Sequence, residues 1–153
     1  MIKKFIILAT FIVLTNCGFT PMYKNNMDNK FNIEIVNTEG DKEINKHIIT
    51  YLKRHIDKNL EKIIKIKIDT SYSRKGISKD SEGKTTSFGL MAITKFEIST
   101  GEENKKIIIT EKLNLNKLDD IFEQKRYETK IKKDISLLIK DKLITELIVT
   151  NDN

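Results

Sequence analysis

The spacing of apolar residues changes along this sequence, and these changes constrain the fold more than any other feature. Ile64, Ile66, Ile68, Thr70 and Tyr72 alternate with Lys, Asp and Ser, which is typical of a β-strand with one solvated face. Elsewhere apolar residues recur every three or four positions, which indicates amphipathic helices. Because each such element has only one apolar face, helices and strands must pack against each other in layers.

The first half of the pattern predicts a strand and then a helix. Residues 31–35 alternate apolar and polar side chains and predict a short strand, and residues 37–41, with Gly40, predict a turn. The helix is predicted to begin at Asp41. Its expected apolar face consists of Ile44, Ile48, Tyr51, Leu52, Ile56 and Leu60.

Three consecutive strands are predicted next. The alternating isoleucines form the second strand, and residues 73–84 are predicted to be a flexible loop because they contain Gly76, Gly83 and many charges. A third strand from about Thr85 and a fourth strand are joined by a hairpin turn at residues 101–104. The residues expected to face the helices are Phe88, Leu90, Ala92, Phe96, Ile98, Ile107, Ile109, Leu113 and Leu115.

The last element is predicted to be a helix. Asp120 and Glu123 have the spacing of a capping box at its start. The expected apolar stripe is Ile121, Phe122, Ile131, Ile135, Leu138 and Ile139, with an extension to Leu143 and Leu147. The predicted fold class is therefore α/β (α+β), a two-layer sandwich of order β-α-β-β-β-α. Residues 31–150 form one domain, with a mostly antiparallel four-stranded sheet and two helices on one of its faces.

Strand parity predicts which residues face away from the helices. These are Lys65, Lys67 and Asp69 in the second strand, Met91, Ile93, Lys95 and Glu97 in the third, and Lys106, Ile108, Thr110, Lys112 and Asn114 in the fourth. Two interpretations are open. This is either an ordinary solvated sheet face, or a surface for an amphipathic anionic lipid or a partner protein.

No residue pattern nominates a catalytic or metal site. His47 and His55 are eight residues apart, about 12 Å along a helix, which is too far for two ligands of one zinc ion. The sequence contains no HExxH, calcium-loop, phosphate-loop or GxSxG motif. We therefore expect neither an enzyme nor a cofactor.

The N-terminal residues predict a lipoprotein signal peptide. Two lysines precede ten uncharged residues, 5–14, which would be about 15 Å long as a helix and too short to span a bilayer. The following Leu14-Thr15-Asn16-Cys17 resembles a lipobox, although Asn16 stands where Gly, Ala or Ser is usual. Residues 1–16 are therefore predicted to be removed, and Cys17 to carry the lipid. The alternative, an ordinary signal peptide, would leave the only cysteine as an unpaired thiol in an oxidising compartment.

The mature chain would have a modest positive charge. The full sequence carries +6, and loss of Lys3 and Lys4 leaves +4. This balance permits an anionic partner such as a phosphate-bearing lipid, whereas export argues against nucleic acid. Residues 17–30 are mostly polar, contain the single proline and are predicted to be a lipidated tether.

A known protein family begins its mature chains with a sequence that resembles the run Cys17-Gly18-Phe19-Thr20-Pro21-Met22-Tyr23. This run is similar to the Cys-Gly-Phe-x-Pro-Leu-Tyr sequence that begins mature lipopolysaccharide-assembly lipoproteins of the LptE family, in its alphaproteobacterial form, with Met22 in place of Leu. The predicted element order is also that of the family. The resemblance implies a non-enzymatic, periplasm-facing outer-membrane lipoprotein. Such a protein lies as a plug inside the LptD β-barrel, assists barrel assembly and helps to insert lipopolysaccharide into the outer leaflet.

The resemblance also implies lipopolysaccharide binding through basic residues, which no motif locates in this chain. Strand parity nominates Lys65, Lys67, Lys95 and Lys112, and the mouth of the predicted loop adds Arg74 and Lys75. Cations at these positions would pair with lipid phosphates. Two other functions are open: a different outer-membrane lipoprotein that binds lipid or acts as an envelope scaffold, and a periplasmic enzyme.

Overall fold

The computed structural model describes residues 30–151. The predicted signal peptide, Cys17 and the tether up to residue 29 lie outside them. The elements are β1 (Asn32–Gly40), α1 (Lys42–Leu52) with a 3-10 turn (Lys53–His55), β2 (Ile63–Lys79), β3 (Thr85–Thr100), β4 (Glu103–Asn116) and α2 (Ile121–Asn151). The predicted order β-α-β-β-β-α is confirmed.

The four strands form one mixed sheet in the order β1-β2-β3-β4. β1 is parallel to β2, with α1 as the crossover, whereas β2, β3 and β4 form an antiparallel meander. Both helices contribute to the core on one face of the sheet, so the two-layer prediction is confirmed. The largest fully buried side chains are Phe96, Ile44, Ile48, Leu52, Ile66, Ile68, Leu90, Leu115, Ile135, Ile139, Leu143 and Ile144.

The junction between β1 and α1 depends on a close backbone approach. Gly40 has φ +84°, and a Cβ there would lie 2.0 Å from the carbonyl oxygen of Thr70. The next residue, Asp41, donates its N–H to that same oxygen at 2.8 Å. Its carboxylate caps α1 by accepting hydrogen bonds from the N–H groups of Glu43 and Ile44.

Two predicted boundaries in this half are wrong. Residues 37–39 are not a turn, because after a bulge at Val36 they pair with β2 up to Gly40. Ile56 and Leu60 do not lie on α1, which ends at Leu52. The chain leaves the helix because Phe31 donates its N–H to the carbonyl of His55 and accepts one from Asp57, which draws Ile56 into an extended bridge.

The predicted flexible loop at residues 73–84 is also wrong. β2 continues to Lys79 and pairs with β3 from Thr85, so the turn is confined to residues 80–84. There the Asp80 carboxylate accepts hydrogen bonds from the N–H groups of Glu82 and Lys84. Pairing with β3 satisfies the backbone of this polar segment and outweighs its loop-like composition.

The predicted start of α2 is confirmed, but part of its stripe is wrong. Asp120 accepts hydrogen bonds from the N–H groups of Phe122 and Glu123, as an N-cap residue does. Ile121 and Phe122 are nevertheless about 80% exposed, and Leu138 is 40% exposed. The buried stripe runs through Ile131, and Phe122, nine residues earlier, falls on the opposite side of the helix at about 100° per residue.

Neither helix in the described part of the chain is both long enough and apolar enough to cross a membrane.

Candidate functional site

The face of the sheet that the helices leave uncovered is the candidate site, and we call it the outer face. Its predicted composition is confirmed: every charged residue assigned to it is exposed, and Met91 and Ile93 are half-buried. The exposed residues are Lys65, Lys67, Asp69, Lys95, Glu97, Lys106, Ile108, Thr110, Lys112 and Asn114.

The strand register brings three of the predicted lysines next to different kinds of neighbour. Lys67 is opposite Glu97, Lys95 is between Asp69 and Ile108, and Lys112 is opposite Met91. Side chains directly opposite each other on one sheet face are about 5 Å apart at Cβ and therefore interact. Cationic and apolar groups thus lie side by side on the outer face.

The carboxylate of Glu97 holds two of the lysines. Its Oε1 is 2.8 Å from Nζ of Lys106, and its Oε2 is 3.9 Å from Nζ of Lys67. The hydrogen bond from Lys106 lowers the pKa of Glu97, and the reciprocal bond raises the pKa of Lys106. Both pairs are solvent-exposed and hence weak, so an anionic ligand could displace Glu97 from them.

Three more of the predicted lysines have no such partner. Within residues 30–151, no carboxylate lies within ion-pair distance of Lys65, Lys95 or Lys112. A groove of about 370 Å³ at one corner of the outer face lies beside the exposed side chain of Val36 and is lined by four lysines and by Glu97. The lysines are Lys65, Lys67, Lys105 and Lys106, of which Lys105 is ion-paired with Glu146 of α2.

An apolar band crosses the outer face between these cations. Ile108 is 64% exposed and Ile77 is 50% exposed. Ile77 lies over Gly89, because a Cβ at that glycine would be only 3.0 Å from the Ile77 Cγ2. Together with Met91 and Ile93, these side chains give the outer face the mixture of charge and apolar surface that an amphiphile requires.

Three further residues contribute to this surface and were not predicted as binding residues. Lys106 was assigned outward by parity, and the same parity could have nominated it as a binding residue. Val36 is exposed at the bulge in β1 beside Lys65 and Lys67, and Ile77 was predicted to lie in a loop. The alternation of residues 33–35 points Val36 to this face, whereas no local sequence signal identifies Ile77.

Arg74 and Lys75 do not lie at the mouth of a loop, as predicted, but within β2 opposite β3. Lys75 is exposed on the outer face. Arg74 is on the helix side, where its Nη1 is 2.9 Å from Oε2 of Glu128 and its guanidinium carbon is 3.7 Å from the centre of the Phe88 ring. These contacts give Arg74 a role in joining the two layers.

The histidines are placed apart from the outer face. His47 stacks on Tyr51 with ring centroids 6.3 Å apart, and His55 is buried in the 3-10 turn. Among residues 30–151 no group of three or more His, Cys, Asp or Glu side chains is arranged to hold a metal ion. The expectation that the chain is not an enzyme stays a prediction.

The chain is similar to known proteins in structure. No protein-family model and no curated protein matches the sequence. The crystal structure of rare lipoprotein B from Shewanella oneidensis matches with a TM-score of 0.61 at 13% identity, covering 78% of this chain and 98% of that one. The solution structure of lipoprotein B from Nitrosomonas europaea matches with a TM-score of 0.51 at 14% identity, covering 80% and 89%. The chain therefore has the fold of these lipoproteins, which is the fold that the resemblance implied.

Proposed function

We propose that this chain is a lipid-anchored outer-membrane lipoprotein that acts, without catalysis, in lipopolysaccharide assembly. In this proposal Cys17 is acylated, the domain faces the periplasm within the lumen of an LptD-type β-barrel, and the outer face binds lipopolysaccharide. The chain would assist assembly of the barrel, and the two proteins together would insert lipopolysaccharide into the outer leaflet.

Two independent features support the assignment to this class. The first is the sequence from Leu14 to Tyr23, with its lipobox-like cleavage site and its family-like start. The second is the fold that the described domain shares with lipoproteins of two other bacteria. The features come from different parts of the chain, so an accidental agreement would have to occur twice.

The composition of the outer face supports the proposed lipopolysaccharide binding. Lys65, Lys95 and Lys112 lack carboxylate partners in the described chain. Lys95 is opposite the exposed Ile108, and Lys112 is opposite the half-buried Met91. Lipopolysaccharide combines phosphate groups with acyl chains. Phosphates form strong charge-assisted hydrogen bonds with lysine, and acyl chains gain by covering apolar surface.

Co-purification tests the barrel partnership. The tagged mature chain is extracted from outer membranes in mild detergent, and the proteins bound to it are identified by mass spectrometry. We expect one large β-barrel protein in stoichiometric amount. Its absence would overturn the plug role, and lipopolysaccharide binding without a barrel would favour a separate lipid-binding or envelope-scaffold lipoprotein.

Charge reversal tests the outer face. The variant changes four lysines to glutamate and is compared with a control that makes the same charge change on the helical layer. The outer-face set is Lys65, Lys67, Lys95 and Lys112, and the control set is Lys42, Lys46, Lys130 and Lys133, all of them exposed. We expect at least about tenfold weaker lipopolysaccharide binding for the first set, since losing one charge-assisted hydrogen bond costs about 1.5–3 kcal/mol. Equal binding by the two variants would show that the outer face is not the lipopolysaccharide-binding site.

A further inference from the structure

A second surface, at the opposite edge of the sheet from β4, is apolar and has no cover in the described chain. A groove of about 770 Å³ runs along β1 beside α1 and is lined by the consecutive residues 32–35. Its floor includes Ile33, which is buried, and Ile35, Ile49 and Ile56, which are half-buried. Ile63, at its rim, is 47% exposed. We call this surface the edge groove.

The strand that borders the edge groove has an open side. β1 pairs with β2 on one side and with no strand of the described chain on the other. An open strand edge offers unpaired N–H and C=O groups, which an extended segment can satisfy. The edge groove therefore combines apolar side-chain contacts with main-chain hydrogen bonding, and a short extended segment with apolar side chains fits it.

The chain itself supplies such a segment close by. The described part begins at Lys30, and Asn32 already lines the groove. Residues 24–30 are polar apart from one methionine, whereas Phe19, Met22 and Tyr23 are apolar or aromatic. Six residues lie between Tyr23 and Lys30, and the seven Cα–Cα steps that join them span at most about 25 Å. The stretch of β1 in the groove is about 10 Å long, so the segment can reverse and reach all of it.

We propose that residues 18–23 dock in the edge groove of their own chain, with Phe19, Met22 and Tyr23 against its isoleucines. Aromatic side chains bury a large apolar area while few rotatable bonds become ordered, so two of them within five residues suit a groove that follows only about 10 Å of β1. Pro21 is compatible with this position, because a strand added at an edge need not donate from every residue. Lys53 and Lys58 line the same groove and offer donors to the hydroxyl oxygen of Tyr23.

Docking has a consequence for the position of the domain. Cys17 is two residues before Phe19, so a lipid on Cys17 would hold the β1 edge within about 10 Å of the bilayer surface. An undocked tether from Cys17 to Lys30 would let the domain move up to about 45 Å away. The docked segment thus converts a loose anchor into an oriented one. The inference does not depend on lipopolysaccharide as the ligand of the outer face.

Photo-crosslinking within the full mature chain tests the occupant directly. Benzoylphenylalanine replaces Tyr23 in one variant and Lys79, at the distant hairpin, in a control. We expect the probe at position 23 to crosslink within the same molecule to peptides from residues 32–35 or 49–63, and the control probe not to reach them. Crosslinks from position 23 to another protein, to lipid or to the outer face would overturn the proposal.

Thermal unfolding of the full mature chain supplies a second readout. The double variant Phe19→Ser and Tyr23→Ser is compared with Asn25→Ser and Asn26→Ser, after mass spectrometry has verified identical lipid attachment. We expect the first variant to unfold at a temperature lower by about 3 °C or more, and the second at an unchanged temperature. Equal unfolding temperatures for both variants and the unmodified chain would also overturn the proposal, since the domain would gain nothing from residues 19 and 23.

Discussion

The Tyr72 hydroxyl donates a hydrogen bond of 2.7 Å to Oε1 of Glu128 and so joins β2 to α2 across the two layers. The other oxygen of this carboxylate accepts a hydrogen bond from Arg74. Nζ of Lys132 lies 4.4 Å from the centre of the Tyr72 ring and 3.0 Å from Oδ2 of Asp41. This polar cluster connects the start of α1, the middle of β2 and the first half of α2.

Tyr72→Phe should destabilise the domain by about 1–2 kcal/mol, because it removes a hydrogen bond to a charged, half-buried acceptor. Burial and the neighbouring Glu128 raise the pKa of Tyr72, so the phenol is protonated and donates the hydrogen bond at pH 7. Urea unfolding at pH 7 measures the loss. Tyr127→Phe is the matched control, since Tyr127 is 38% exposed, and equal stabilities of the two variants would contradict the structural role of the Tyr72 hydroxyl.

Asp41 should make the free energy of unfolding depend on pH in the acidic range. Partial burial acts to raise its pKa, but hydrogen bonds from the Ile44 N–H and from Lys132 outweigh burial and leave the pKa below its ordinary value. A carboxyl with a lowered folded-state pKa stabilises the protein above the unfolded-state pKa of about 3.9, and this stability is lost as the pH falls through the folded-state pKa.

Asp41→Asn isolates this effect, because asparagine still caps a helix while its side chain carries no charge. We expect it to cost about 1–2 kcal/mol at pH 7, and the difference from the unmodified protein to shrink toward zero near pH 2. Urea titrations at a series of pH values measure both quantities. Glu102→Gln, in an exposed turn, should leave the pH profile unchanged, and a pH-independent loss in Asp41→Asn would contradict the electrostatic explanation.

Gly40→Ala and Gly83→Ala form a matched pair that tests the β1–α1 junction. Both glycines have positive φ, but a Cβ at Gly40 would collide with the Thr70 carbonyl, whereas a Cβ at Gly83 would meet nothing within 4 Å. We expect about 1–2 kcal/mol of backbone strain from Gly83→Ala, and at least about 2 kcal/mol more from Gly40→Ala. Similar midpoints of denaturation for the two variants would show that the junction relaxes around the added methyl group.

Cys17→Ser should release the protein from membranes without unfolding it. Two or more acyl chains give stable anchoring, and the serine variant would carry none. Ultracentrifugation of cell envelopes measures the distribution, and circular dichroism measures the fold. We expect the variant in the soluble fraction with an unchanged spectrum. Its persistence in outer membranes would instead indicate that contacts with a membrane partner outweigh the lipid.

The sequence by itself determined the layers, the element order and the direction of the strand side chains. The strand at residues 64–72 was predicted correctly, because successive side chains of any strand point to opposite faces. Parity alone therefore placed Lys65 and Lys67 on the outer face. The capping role of Asp120 was equally visible, since a helix start needs acceptors for its first N–H groups whatever surrounds it.

Only the tertiary structure decided where those elements end and which apolar residues they bury. Residues 73–79 were predicted to be a loop but form part of β2, because β3 supplies hydrogen-bond partners for their backbone groups. Phe122 was predicted to be buried but is exposed, because it lies on the opposite side of α2 from the buried stripe that contains Ile131. Arg74 was predicted to bind phosphate, but its guanidinium donates a hydrogen bond to Glu128, fifty-four residues away. Local periodicity encodes the direction of a side chain, but pairing and packing partners come from distant parts of the chain and are set only when the layers close.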